Sequence, residues 1–110
     1  MKSDYAATKF ADAIHALATR PERIKERLVE AVALIASLDV DRHVSDNLAN
    51  DFNGLMQRLS LGTHGIVSDD QIQSTIRKMT EDQAVEIAEQ IMVLALELEG
   101  AATQEWDNRG

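Results

Sequence analysis

Asp39, Asp41 and His43 alternate along the chain in the way that ligands of a divalent cation can alternate. A calcium loop starting at Asp39 needs glycine at its sixth position and a bidentate glutamate at its twelfth. Val44 and Asn50 stand there instead. Acids placed at helix starts account for the stretch better, so no metal is expected. The other two histidines are His15 and His64. No HExxH and no Glu-x-x-His pair surrounds any of the three, which removes the helical zinc and di-iron patterns. His64 lies in GTHG, a loop that lacks the Lys-Ser/Thr of a phosphate-binding loop. No cysteine is present, so thiolate metal sites, cysteine nucleophiles and disulfides are excluded. Neither catalytic residues nor a cofactor are expected. An enzyme or metal protein using His64 or the Asp39/Asp41/His43 group is the least favoured class.

The densest charge cluster is ATRPERIKERL, where Arg20, Arg23, Lys25 and Arg27 fall within eight positions. On a helical wheel the three arginines share one flank of an apolar stripe, while Glu22, Glu26 and Glu30 occupy the back. Glutamates interrupt the basic field and no aromatic residues interleave for base stacking, so nucleic acid is not the expected partner. The arginine edge is mainly a solvated helix surface. Its functional alternative is a contact for an acidic partner through Arg20, Arg23 and Arg27, since guanidinium suits bidentate carboxylate pairing.

These residues need helices to hold them, and the periodicity is helical throughout. A first helix is predicted from Ser3 to Ala18, with Phe10, Ala13, Ile14 and Leu17 on its apolar side. Thr19 and Glu22 have capping-box spacing and Pro21 suits a first turn, so a second helix is predicted from there to Leu38. A third runs to Ser60 from either Asp41 or Ser45. Gly62 is its expected C-cap. Ser68, with Gln71 three residues on and the pair Val67/Ile72 as a staple, opens a short helix. Thr80 and Gln83 repeat the box and open a last helix, which Gly100 is expected to end. Residues 101–110, with Trp106, read as a flexible tail.

The expected fold is therefore an all-α, single-domain bundle over residues 1–100, with four long helices and one short one. Two segments, Val29 to Ala36 and Ile91 to Leu96, are apolar around most of their circumference. A small monomer has difficulty covering both. A homodimer is expected on that ground, with Val29, Val32, Ile35, Val93 and Leu96 as candidate interface residues.

Net charge is −8, and it is unevenly placed: residues 81–110 hold eight acids and only Arg109 as a base. No apolar run exceeds six residues, against about 20 for a membrane span. The opening MKSDYAATKFADAI has no apolar secretory core. A cytoplasmic, non-enzymatic protein that works through helix faces in interaction or assembly is the expected class. The alternative is an acidic inhibitor or DNA mimic that occupies a basic nucleic-acid-binding protein.

Overall fold

The computed structural model describes residues 2–62 and 68–107, with side-chain surroundings for residues 4–62 and 68–103. His64 and Val67 lie outside the described residues, as does the side chain of Trp106. Six helices follow one another: α1 Lys2–Thr19, α2 Ile24–Ile35, α3 Val40–His43, α4 Asp46–Arg58, α5 Asp69–Lys78 and α6 Glu81–Asp107. No strand occurs among the described residues. Five of the helices are substantial, and α3 is a single turn.

The break between α1 and α2 follows from Pro21. A proline disfavours helical backbone at the residue before it, here Arg20, so α1 stops at Thr19. The expected Thr19–Glu22 capping box does not form. Thr19 is still inside α1, and its hydroxyl donates back to the His15 carbonyl at 2.7 Å. A residue held in one helix cannot cap the next. Arg23 occupies the N-cap of α2 without a side-chain bond, and α2 ends at Ile35, three residues short of the predicted end.

The expected third helix is divided in two: α3 begins at Val40, one residue before the first candidate start, and α4 follows the second candidate, Ser45. Asp39 caps α3 by accepting from the Asp41 amide at 2.9 Å. Extended backbone at Val44 then breaks the helix, and Ser45 takes the N-cap position of α4. Gly62 is not the C-cap of α4. Ser60 turns the chain with φ of 56°. The Leu61 amide donates to the Met56 carbonyl at 2.9 Å and the Ser60 amide to the Gln57 carbonyl at 3.0 Å. That pair of bonds is a Schellman motif with serine in the left-handed position that glycine usually takes.

The last two starts agree with the sequence. The Gln71 amide donates to Ser68 Oγ at 3.2 Å. Thr80 and Gln83 satisfy each other in both directions, at 2.9 and 3.1 Å. The end of α6 does not agree. The helix runs through Gly100 to Asp107, so the domain edge expected at residue 100 falls inside a continuous helix.

The core is organised by α1, which makes the two most extensive helix–helix contacts, with α6 and with α2. Its inner face is mostly alanine: Ala6, Ala13 and Ala16 lie beside Phe10 and Leu17, all buried. Small side chains let neighbouring helices approach closely. α4 adds Phe52, whose ring meets Phe10 edge-on at 6.3 Å. α5 closes the α2 side with Ile72 and Ile76. The radius of gyration, 13.5 Å, matches the roughly 13 Å of a single domain of this length. No described helix is long and apolar enough to cross a membrane.

Candidate interaction surface

The wheel of α6 divides into a core side and an outer side. Ala84, Ile87, Ile91, Leu94 and Leu98 are buried at helical spacing. Val85, Met92, Val93 and Leu96 lie outside, the last three 51%, 56% and 68% exposed. Val85, Met92 and Leu96 fall within about 40° of each other on the wheel, and Val93 lies roughly 60° beyond Leu96. The first three therefore form one strip along the side of α6.

That strip continues into a shallow groove between α6 and α1, of about 440 Å³. α6 contributes Met92, Ala95, Leu96 and Glu99 to it. α1 contributes Ala7, Thr8, Ala11 and Ile14. Its shape has a simple origin. The longer side chains of α6 form a wall, and the alanines of α1 leave a low floor beside it. No lysine or arginine lines the groove. Lys9, the base of α1 nearest in sequence, stands over the Tyr5 ring at 5.5 Å.

The residues expected at an interface divide between inside and outside. Val32 and Ile35 are fully buried in the chain's own core. Val29 is partly buried and packs against it. Val32 and Ile35 cannot form a free face, because α1, α5 and α6 surround α2, whereas Val29 stays partly exposed beside α5. Only Val93 and Leu96 are open. The greasy stretch of α2 needs no second subunit, whereas that of α6 does project into solvent. Met92 joins them without having been expected, although its four-residue spacing to Leu96 is a usable signal.

The arginine cluster is largely engaged within the chain. Arg27 Nη1 donates to the Leu17 carbonyl at 2.8 Å. Lys25 Nζ reaches the Arg77 carbonyl at 3.4 Å. Both carbonyls belong to last turns, of α1 and α5, where no helical donor is available and the macrodipole is negative. Arg20 pairs with Glu30 at 2.5 Å. Of the three arginines expected to meet an acidic partner, only Arg23 is exposed without a bond of this kind. The three do not converge on an open site.

The Asp39/Asp41/His43 group is occupied in the same way. The Asp39 amide donates to His43 Nδ1 at 2.9 Å, and Asp39 Oδ1 accepts from the Asp41 amide. The His43 ring also packs against Tyr5, at 4.8 Å between centroids. Its Nδ1 is thereby committed to the backbone. His15 is exposed on α1 and borders a second, more polar groove with Asp12, Arg20 and Glu30.

Comparison with known proteins adds no relative. No family model, curated protein or solved structure matches this chain.

Proposed function

We propose that the chain is a non-enzymatic interaction or assembly protein whose working surface is the α1/α6 face. The observation that carries this is the exposure of Val85, Met92 and Leu96 along one side of α6. Large apolar side chains are exposed singly on most proteins; a contiguous strip beside a groove marks a contact site. Of the two greasy segments on which a dimer was expected, only that of α6 is open, so the working surface lies there and not on α2.

The DNA-mimic alternative is less well supported. A mimic presents carboxylates as an uninterrupted array, and on α6 the acids are interleaved with Val85, Met92, Val93 and Leu96. That pattern suits an apolar contact framed by charge.

A photo-crosslinking side chain at position 96 tests the reading in intact cells. A discrete adduct is expected from position 96 and none from position 51, on the exposed side of α4. Equal, diffuse labelling from both positions, or none from 96, overturns the proposal. Leu96→Ser supplies an internal check: exposed substitutions change stability by about 0.5 kcal/mol or less. A loss of several kcal/mol would show that Leu96 serves the fold instead.

A further inference from the structure

Resting on the α1/α6 face as a docking surface, we infer that its occupant is a basic amphipathic helix of another protein, not a second copy of this chain. Charge decides between the two. α6 carries eight acids and no base. Glu99 lines the groove. Glu89 is exposed and stands four residues after Val85 and three before Met92, on the same side of the helix as both. The α1 side of the groove, Ala7, Thr8, Ala11 and Ile14, carries no charge of its own. Of the chain's main basic cluster, Arg27, Lys25 and Arg20 are committed to Leu17, Arg77 and Glu30, and only Arg23 is left open.

A two-fold dimer sets a surface against itself. Glu89 and Glu99 of one copy then face the same acidic rim on the other, with no lysine or arginine in the groove to answer them. A basic helix meets the same rim with opposite charge. Its apolar residues at i, i+4, i+7 and i+11 would enter between Leu96 and the Ala7/Ala11 floor. Met92, unbranched and flexible, suits a wall that adjusts to its ligand. From Val85 to Glu99 the strip spans about 21 Å, which four turns of helix would cover.

The probe is a synthetic helical peptide of about 18 residues, with leucine at that spacing and lysine on both flanks. A control peptide has the same composition in scrambled order. Binding is followed by fluorescence anisotropy at physiological salt on the full chain. Micromolar affinity is expected for the patterned peptide only. Leu96→Ser should weaken it about tenfold. The double variant Glu89→Gln/Glu99→Gln should weaken it severalfold and flatten its salt dependence, while Asp51→Asn on α4 leaves it unchanged. Circular dichroism confirms that each variant folds. Equal binding of the scrambled peptide, or an equal loss with Asp51→Asn, would reduce the effect to bulk charge and overturn the inference. A free chain that sediments as a dimer, and is split by Leu96→Ser, overturns it in favour of a second copy and leaves the interaction reading standing. Loss of both peptide binding and the position-96 adduct removes both.

Discussion

Ser60 holds the one left-handed backbone among the described non-glycine residues, with φ of 56°. A side chain there is strained by roughly 1 kcal/mol or more relative to glycine. Ser60→Gly is therefore expected to raise stability by about 0.5–1 kcal/mol, after the extra freedom it gives the unfolded chain. A higher urea midpoint at unchanged slope would show this, and a lower midpoint would mean that the serine hydroxyl supplies something the turn needs. Arg27 carries the opposite expectation. Its guanidinium satisfies the Leu17 carbonyl, so Arg27→Met should cost about 1 kcal/mol, the usual net worth of such a bond, while Arg23→Gln changes little. Equal losses for both would mean that the cluster acts through its summed charge. At this scale the sequence was partly legible. The presence of glutamates among the bases was readable, and Glu30 does take up Arg20 inside the chain. Which carbonyls the bases would reach was not legible, since Arg77 lies 52 residues from Lys25 and only packing brings them together.

Helix starts were legible where the capping residues belong to one helix alone. Ser68 and the Thr80/Gln83 pair meet that condition. Thr19/Glu22 has the same spacing and fails, because Thr19 already belongs to α1. Gly100 misled for a related reason. A glycine ends a helix when the chain turns left-handed there, and nothing after Gly100 forces that turn. A helix can instead continue through it at a cost of about 1 kcal/mol. That cost makes Gly100→Ala and Gly54→Ala expected to stabilise the fold by up to about 1 kcal/mol each, because a β-carbon added at either position would meet no atom within 4 Å. Thermal melts of the two variants and of the double variant check it. A destabilised Gly100→Ala would show that a neighbour needs the missing side chain. The central place of α1 was hidden because alanine is a weak apolar signal in a sequence and an effective packing surface in three dimensions.

Across the whole molecule, acidity and occupied bases point the same way. No DNA or RNA binding is expected at physiological salt, and a micromolar affinity whose logarithm falls with log[salt] would contradict it. Metal chelators are likewise expected to leave the melting temperature unchanged, since His43 Nδ1 and Asp39 Oδ1 are used by the backbone. A rise of several degrees with one added ion would show otherwise. The all-helical class and single domain were readable from periodicity and length. Which greasy helix projects into solvent was not, because both have the same composition and only the covering of α2 by its neighbours distinguishes them.

The pairing of α1 with α6 also sets an order of events in time. Residues 20–80 separate the two helices, so their contact closes a long loop at an entropic cost on the order of 4 kcal/mol. α1 and α2, joined by a short link, can meet early. The core is sealed only when α6 arrives from far along the chain. During synthesis, the side of α1 that packs on α6 must therefore wait until α6 has emerged. Folding should be slow for an all-helical protein, and α1 and α6 should share one opening reaction. Native-state hydrogen exchange reads this directly: amides in the middle of both helices should report the same free energy, and an α6 that opens independently of α1 would show that the loop closes late and loosely.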